Sequence, residues 1–270
     1  MPYVKIIGKG DSTMYKYLVF FDLDRTLFDE NSKVNDEVAN AMEEIRKHGG
    51  LPVISTGRNI FEIKDTLEKT KIDSVVAANG DFGMLRGKEV FSNTIDPKII
   101  DQLYDFVEQH GNTLVLLNQK RGAITNHDEL AIKAFKHVHA PLPKIVTKTY
   151  WHENPINMMV VTNTDLDTEY EDAFGDVLTF YRNSPYSIDV VVHGVSKATG
   201  IKQLIDTAGL KGIPTYAFGD GNNDIPMLDY VDHPVVMGNG LSNVKPHGEF
   251  ITTKNTDHGI VNGLKHFNLI

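Results

Sequence analysis

Residues 17–27 read YLVFFDLDRTL, a continuous apolar run of strand length that ends in two aspartates, Asp22 and Asp24. An apolar run rich in aromatic and β-branched residues is typical of a strand buried on both faces, as in a parallel sheet. Ligands bind open parallel sheets beyond the carboxyl ends of the strands. The two carboxylates therefore stand where chemistry is expected, although a bare DxD is more commonly a solvated acidic turn.

Strand and helix patterns alternate along the chain after this run. Residues 35–47 carry apolar side chains at the spacing of one helix face, with Asn35 as the predicted N-cap, and Leu51–Ile54 reads as the next strand. The alternation returns near the C-terminus, with a helix over Lys197–Ala208 and a strand over Pro214–Phe218. This pattern predicts an α/β fold in which a parallel sheet carries helices on both faces.

The middle of the chain follows a different pattern. Between about 83 and 187, helical stretches alternate with strands that look two-sided, such as Thr113–Leu117 and Met158–Thr162. We predict three parts: a core domain over 14–82 and 188–270, an inserted α+β domain over 83–187, and an N-terminal extension, residues 1–13, that takes no part in the fold.

Two further stretches carry residue types that suit a phosphate site. Thr56, Gly57 and Arg58 follow a predicted strand and open a helix, where a hydroxyl, a glycine and helix-start N–H groups form a natural phosphate cradle. An ordinary N-cap and turn would explain the first two residues equally well. Lys197 begins a predicted helix and is by itself typical of an exposed surface, but a site of several carboxylates needs a cation.

The stretch 217–224 reads AFGDGNND and places Asp220 and Asp224 after another apolar strand. A calcium loop opens with a similar spacing, but it requires glycine at its sixth position and glutamate at its twelfth. These positions hold Ile225 and Val231, so the calcium-loop interpretation is excluded.

The composition limits the classes of function. The chain has no cysteine, which excludes disulfides, thiolate zinc sites and cysteine nucleophiles and suits a reducing cytoplasm. The net charge of −9, with no visible basic face, argues against nucleic acid as a partner. No apolar run reaches the length of a membrane span or signal peptide. We expect a soluble, cytoplasmic protein without a membrane partner, and the sequence carries no signal for its oligomeric state.

Four stretches, taken in order, resemble the motifs of the haloacid dehalogenase superfamily, and more narrowly of its Cof-type branch of sugar-phosphatase-like hydrolases. They are DLDRTL (22–27), ISTGR (54–58), GVSK (194–197) and GDGNNDIPML (219–228). The resemblance covers most of residues 15–270 and is weaker through the middle. It implies a Rossmann-like, doubly wound core with an α+β cap of type IIB between the second and third motifs, which matches the predicted insertion.

The resemblance also implies a role for each charged or polar residue of these motifs. Asp22 would attack phosphorus to form an aspartyl-phosphate, and Asp24 would protonate the leaving group and then act as base on water. The residues that would hold the phosphoryl oxygens are Thr56, Gly57, Lys197 and Asn223. The metal would be bound by the carboxylates of Asp22 and Asp220 and by the backbone carbonyl of Asp24. Asp224 would lie close behind these ligands.

Several other residues bear on the turn and on substrate preference. Arg25 stands where the family usually has glycine, so an arginine must adopt the turn after Asp24, and it adds positive charge near the site. Arg58 is a candidate substrate contact. The polar residues Asn118, Arg121 and Arg182 of the inserted domain are further candidates, although a surface position would explain each of them as well.

Charge indicates which cofactor the site needs. Four convergent aspartates facing one lysine leave the site about three charges negative, which would repel a phosphate dianion. Oxygen-only ligands in a chain without cysteine favour Mg²⁺ over zinc. The predicted function is a Mg²⁺-dependent phosphatase of small phosphorylated metabolites, with sugar phosphates as the expected class. Two alternatives stay open at this point: a sugar phosphomutase that shares the aspartyl-phosphate, and a non-enzymatic receiver-like module.

Overall fold

The computed structural model describes residues 15–138 and 140–270, so the predicted extension over residues 1–13 lies outside the described residues. The described strands, in chain order, are β1 (Tyr17–Phe21), β2 (Gly50–Ser55), β3 (Val75–Ala77), β4 (Phe82–Leu85), β5 (Lys88–Ser92), β6 (Thr113–Leu117), β7 (Gly122–Ile124), β8 (Lys144–Ile145), β9 (Met158–Thr162), β10 (Leu178–Ser184), β11 (Ser187–Val192), β12 (Thr215–Gly219), β13 (His233–Val236) and β14 (Phe250–Ile251). The described α-helices are α1 (Asp36–Lys47), α2 (Lys64–Thr70), α3 (Pro97–Gln109), α4 (Glu129–His137), α5 (Thr149–Glu153), α6 (Asp167–Phe174), α7 (Lys197–Ala208), α8 (Ile225–Tyr230) and α9 (Gly259–His266). Of the helices in this part of the chain, none combines the length and hydrophobicity that crossing a bilayer requires.

The larger sheet has eight strands in the order β14-β13-β12-β1-β2-β3-β4-β5. The strands from β14 to β3 pair in parallel, and β4 and β5 form an antiparallel hairpin at one edge. The chain leaves β1 through β2 and β3 on one side and returns through β12 and β13 on the other. The switch point of this sheet therefore lies between β1 and β12, and open α/β sheets bind ligands at such a crevice.

The apolar residues of β1 are shared between two cores, one on each face of the larger sheet. Val19 and Phe21 pack in a cluster with residues of α1 and α9, whereas Leu18 and Phe20 pack in a second cluster with residues of α7 and α8. Alternate side chains of a strand point to opposite faces, so a strand covered on both faces has to be apolar throughout. The prediction of an α/β fold with helices on both faces is confirmed.

Local signals explain where the two helices that frame the core begin. The Asn35 side chain accepts a hydrogen bond from the N–H of Val38 at 2.9 Å and caps α1, as the sequence predicts. Ser196 and Thr199 cap α7 reciprocally: Ser196 Oγ accepts from the N–H of Thr199 and Thr199 Oγ1 accepts from the N–H of Ser196. This capping fixes Lys197 at the first position of α7.

The smaller sheet has six strands in the order β10-β11-β9-β6-β7-β8. Its pairs are antiparallel except β7 with β8. Helices α3, α5 and α6 cover one face, around the fully buried Trp151 and Tyr170. The opposite face carries Val115 and Met158 and packs against Phe61 and other residues that flank the larger sheet.

Sheet membership differs from the predicted segment boundaries at both ends of the insertion. The hairpin β4–β5, up to Ser92, belongs to the larger sheet, and β11 extends the smaller sheet to Val192. Within this hairpin β4 is mostly buried and β5 is mostly exposed, so the segment lacks the continuous apolar run that is typical of the parallel strands. The division into two domains stays a proposal, which we now draw after Ser92 and after Val192. We refer to residues 93–192 as the cap and to the larger sheet with its helices as the core.

Candidate active site

Three aspartates converge beyond the carboxyl ends of β1 and β12. Asp22 directly follows β1, Asp220 directly follows β12, and Asp224 ends the helical turn after Asp220. Each is buried and offers one carboxylate oxygen, and these three oxygens all lie within 4.8 Å of one another. The fold therefore joins residues that are almost two hundred positions apart in the sequence, as the sheet topology requires.

Lys197 supplies the cation of this cluster. Its Nζ donates one hydrogen bond to Oδ1 of Asp22 and another to Oδ1 of Asp224, both at 2.6 Å, and its side chain is 0% exposed. Burial by itself would lower the pKa of the ammonium, but the two carboxylates outweigh burial and the pKa is raised. Lys197 is thus a buried ammonium held between two carboxylates, rather than the surface residue that its isolated motif would suggest.

The carboxylates outnumber the positive charges around them. Burial raises the pKa of Asp220 to about 7 and the charge of Asp224 adds to the shift, although Arg25, Thr26 and Lys197 act in the opposite direction. Burial also raises the pKa of Asp22, and Asp224 again adds to it. An all-oxygen donor set that is short of positive charge fits a hard divalent cation.

Asp224 organises the loop that carries Asp220. Its Oδ2 accepts hydrogen bonds from the backbone N–H groups of Asp220 and Gly221, both at 2.9 Å, while its Oδ1 accepts from Lys197. A Cβ at Gly219, the last residue of β12, would come within 2.7 Å of the Asp224 side chain, so this position has room only for glycine. Because protein groups already engage both carboxylate oxygens, Asp224 is better suited to support the expected metal ligands, Asp22 and Asp220, than to bind a metal itself.

The turn after β1 separates Asp24 from the buried aspartates. The Asp24 side chain is 51% exposed and forms a two-point pair with Arg58, with Oδ2 2.9 Å from Nε and Oδ1 2.6 Å from the terminal nitrogen. The guanidinium of Arg58 also lies over the ring of Phe28, 5.2 Å from its centroid. Bidentate pairs of this kind fix orientation as well as energy, so Arg58 holds the Asp24 carboxyl at the mouth of the site.

Arg25 adopts the left-handed turn conformation that is expected at a position where the family usually has glycine. Its φ of 61° lies in the left-handed region, which glycine enters more easily than other residues. Asn239 supports the turn from both sides, since its Nδ2 donates to the carbonyl of Arg25 at 2.8 Å and its carbonyl accepts from the Arg25 guanidinium at 2.9 Å. Arg25 Nε lies 3.6 Å from Oδ2 of Asp220, so the substitution adds positive charge beside the cluster.

Two of the proposed phosphate-binding residues, Gly57 and Asn223, line the cleft beside the aspartates. Thr56 is buried at the end of β2, where its Oγ1 accepts a hydrogen bond from the N–H of Arg58 at 3.1 Å. A Cβ at Gly57 would come within 3.1 Å of the Asn79 amide, and Asn223 Nδ2 donates to Oδ1 of Asn79 at 3.2 Å. Asn79 was not identified from the sequence, and the available signal was its place in an Asn-Gly pair at the carboxyl end of β3.

A cleft of about 490 Å³ opens above these residues, between the core and the cap. Its core side includes Asp22, Asp24, Gly57, Arg58, Asp220 and Asn223, and its cap side includes Val115, Leu117, Met158, Val160, Thr162, Arg182, Ser187 and Asp189. A larger depression of about 760 Å³ lies at the amino ends of β12 and β13 and contains none of the motif residues. The motifs therefore assign the chemistry to the smaller of the two cavities.

The three candidate substrate contacts of the cap have different positions. Arg182 lines the cleft, but its guanidinium is already paired with Asp167 and donates to the Asn163 side chain and to the carbonyls of Asn163 and Ser184. Asn118 is buried inside a turn, and Arg121 pairs with Asn154 at 3.1 Å. Neither of these two belongs to the described lining of the cleft.

We expect the stability of the metal-free protein to fall as pH rises, because Asp220 binds its proton more tightly in the folded state. The ordinary pKa is 3.8 and the folded value is about 7, so folding is most favoured by this group below pH 3.8 and the contribution is lost towards pH 7. Between about pH 5 and about pH 8, Asp220 should remove roughly 3 kcal/mol from the free energy of unfolding. Urea unfolding of wild type and Asp220→Asn at both pH values isolates this group from Asp81, whose pKa burial also raises to about 7. Equal slopes with pH in the two proteins would contradict the assignment.

Comparisons with known proteins agree with the geometry. A family model described as haloacid dehalogenase-like hydrolase matches residues 19–264. The phosphatase BT1666 from Bacteroides thetaiotaomicron is 25% identical, with a TM-score of 0.87 over 99% of this chain and 100% of its own. The HAD subclass IIB sugar phosphatase BT4131 is 25% identical, with a TM-score of 0.83 over 94% of this chain and 99% of its own. The 5-amino-6-(5-phospho-D-ribitylamino)uracil phosphatase YcsE of Bacillus subtilis is 25% identical over 93% of this chain and 95% of its own.

The family resemblance drawn from the four motifs is confirmed by this match, which spans nine-tenths of the chain from β1 to α9. The Rossmann-like core with a second, mixed sheet is confirmed by the structural likeness. The chain therefore belongs to the haloacid dehalogenase-like hydrolases, and it is a phosphatase of their Cof-type branch, subclass IIB.

Proposed function

We propose that the chain is a Mg²⁺-dependent phosphatase that hydrolyses sugar phosphates through an aspartyl-phosphate formed on Asp22. The observation that carries this proposal is the position of Lys197 between Asp22 and Asp224, with Asp220 in reach of the same point. Three buried carboxylates around one ammonium would be a costly way to build a structural ion pair. The arrangement is useful if the site takes up further positive charge together with a phosphate. The absence of cysteine supports a reducing compartment, such as the cytoplasm.

The proposed ligands of Mg²⁺ are the carboxylates of Asp22 and Asp220 and the backbone carbonyl of Asp24. Oxygen-only donors suit Mg²⁺ better than zinc. When bound, the ion supplies the positive charge that lets a phosphate dianion approach these carboxylates. Asp224 stays behind them, where it holds Lys197 and the loop of Asp220 in place.

The chemistry would proceed in two displacements at phosphorus. In the first, a carboxylate oxygen of Asp22 forms a bond to phosphorus while the bond to the ester oxygen breaks, and Asp24 gives its proton to that oxygen. In the second, water attacks phosphorus while Asp24 takes up a proton, and the bond between Asp22 and phosphorus breaks. The products are an alcohol and inorganic phosphate, and both aspartates return to their starting state.

The remaining motif residues would hold the transferring group. Lys197 lies beside the proposed nucleophile and can pair with a phosphoryl oxygen. Thr56 and the N–H of Gly57 stand at the end of β2, and the Asn223 amide is oriented by Asn79. Positioning and charge stabilisation supply most of the catalysis in phosphoryl transfer, so these contacts would contribute as much as the nucleophile's reactivity.

The lining of the cleft supports an uncharged leaving group. The cap side offers apolar residues such as Val115 and Met158 beside hydroxyls and a carboxylate, which suits the C–H faces and hydroxyls of a sugar. Among the described lining residues, the arginines are Arg25, Arg58 and Arg182, and each is already paired with acidic or carbonyl groups. A second phosphate on the leaving group would therefore have to compete with these partners for a guanidinium.

We expect hexose monophosphates to be better substrates than hexose bisphosphates of the same ring. The second phosphate would meet the carboxylates of Glu62 and Asp189 in the cleft, and it would have to draw an arginine away from the partners that this arginine already has. Like charges at this range cost a few kcal/mol, so kcat/KM should fall about tenfold or more. Initial-rate measurements of phosphate release on matched pairs of substrates would check this. A preference for the bisphosphates would mean that a free cation reaches the leaving group.

The function itself is tested by phosphate release from a panel of phosphate esters in the presence of Mg²⁺, with product analysis of the sugar. We expect inorganic phosphate and free sugar in equal amounts. An isomeric sugar phosphate without free phosphate would replace the proposal by a phosphomutase. Release of phosphate from none of the esters would favour a receiver-like module instead.

A further inference from the structure

One side chain of the cap contacts the core segment that follows Arg58. Gln119 Oε1 accepts a hydrogen bond from the N–H of Ile60 at 3.0 Å, and Gln119 Nε2 donates to Oδ1 of Asn59 at 3.0 Å. Asn59 is fully buried and is itself oriented by Glu62, whose Oε2 accepts from the backbone N–H of Asn59 at 2.8 Å. Both the oxygen and the nitrogen of the Gln119 amide thus form hydrogen bonds with residues 59–60.

The cap presents Gln119 from a well-supported turn. Oδ1 of Asn118 accepts hydrogen bonds from the N–H groups of Lys120 and Arg121, and its Nδ2 donates to the carbonyl of Pro155. The residue that the sequence suggested as a substrate contact therefore builds the turn instead. A side chain held by such a turn can position its partner more accurately than one on an unsupported loop.

Residues 59–60 directly follow Arg58, which contacts the proposed acid–base residue, Asp24. Arg58 precedes Asn59 in the chain, and its guanidinium holds the Asp24 carboxyl by two hydrogen bonds. The backbone of Arg58 is fixed as well, since its N–H donates to Thr56 Oγ1 and its carbonyl accepts from the N–H of Ala78 at 3.0 Å. The core thus anchors the chain at Arg58 and the cap anchors it at residues 59–60, so loss of the cap contact would leave the pair of Arg58 with Asp24 less closely positioned.

We propose that Gln119 is a positioning residue, which fixes Arg58 and through it the Asp24 carboxyl when the cap lies on the core. This inference rests on the proposed role of Asp24 as acid and base. The contact would couple closure of the cap to proton transfer, because the Asp24 carboxyl would be correctly oriented only while the cap covers the cleft. Gln119 itself does not belong to the described lining of the cleft, and its amide is engaged by Asn59 and Ile60, so the role assigned to it is to position this segment and not to bind substrate.

The test uses two substrates that differ in their need for a proton. A hexose phosphate releases an alkoxide, which Asp24 must protonate, whereas p-nitrophenyl phosphate releases a phenolate that leaves without help. We expect Gln119→Ala to lower kcat on the hexose phosphate about tenfold, because two positioning hydrogen bonds are lost. The release of p-nitrophenolate in the first turnover should stay within about twofold of wild type. Gln102→Ala, on the exposed side of α3, is the matched control and should behave as wild type on both substrates.

A double variant separates positioning from other effects. In the background of Asp24→Asn, adding Gln119→Ala should cause no further loss, because the group that Gln119 positions is already missing. Equal losses on both substrates, a raised KM with unchanged kcat, or additive losses in the double variant would each overturn the proposal. Asp24→Asn alone must also spare the first turnover of p-nitrophenyl phosphate. If it does not, the role of Asp24 fails first, and that failure is visible without any Gln119 variant.

Discussion

Asp22→Asn is expected to abolish turnover while the protein still folds. The asparagine amide has nearly the shape of the carboxylate but cannot form the bond to phosphorus, so kcat should fall roughly 10⁴-fold or more. Folding should survive because Lys197 keeps its second partner, Asp224, at 2.6 Å. The measurements are phosphate release with Mg²⁺ and thermal unfolding of both proteins. Burial and the charge of Asp224 raise the pKa of Asp22, so its charged form disfavours folding, and its removal should leave the melting temperature of the metal-free variant equal to that of wild type or above it.

The control for this variant is Asp172→Asn, at an exposed position of the cap helix α6. It makes the same chemical change far from the cluster, so its turnover should match wild type. Turnover of Asp22→Asn within about tenfold of wild type would show that another residue is the nucleophile.

Lys197→Met is expected to lower both activity and stability. The substitution leaves Asp22 and Asp224 buried without their shared ammonium, and breaking a buried pair in this way typically costs about 3–5 kcal/mol. Loss of the cation beside the proposed nucleophile should reduce kcat/KM by about 10³-fold. Urea unfolding of the metal-free protein and initial-rate kinetics measure the two effects.

The stability loss of Lys197→Met should shrink at lower pH, because protonation of Asp22 removes one of the uncompensated charges and its pKa is raised by burial. Lys202→Met, at an exposed position of the same helix, is the control and should have neither effect. An unchanged free energy of unfolding in Lys197→Met would mean that the two carboxylates do not depend on this ammonium.

The parts of the site that lie at strand ends could be predicted from the sequence. Asp22 and Asp220 follow two apolar runs, and the rule that parallel strands present their carboxyl ends at one edge brings them together. The helices over 35–47 and 197–208 were equally readable, because their apolar spacing and caps are local signals. The role of Lys197 could be inferred only from the four motifs taken together, because a lysine at the start of a helix carries no signal of burial.

The contacts between core and cap could not be predicted, because no local pattern encodes them. Gln119 and Asn59 are sixty residues apart and meet only through the packing of the cap face against Phe61 and its neighbours. Arg182 was suggested as a substrate contact by its charge, whereas its hydrogen bonds to Asp167 and Asn163 depend on the pairing of β10 with β11 and on the position of α6. The predicted boundary at residue 83 places most of the hairpin β4–β5 in the insertion, because the alternation of strand and helix ends after β3 and the mostly exposed β5 has no continuous apolar run.

Peptide mapping of a phosphorylated intermediate tests most directly whether Asp22 carries the phosphoryl group. Asp24→Asn mixed with Mg²⁺ and p-nitrophenyl phosphate should accumulate the intermediate, because the second displacement lacks its base. After an acid quench, we expect one hydroxylamine-sensitive phosphoryl group, on the peptide that contains Asp22. A burst of p-nitrophenolate with the phosphoryl group on any other residue, or steady release of phosphate with no phosphopeptide, would contradict a mechanism through Asp22.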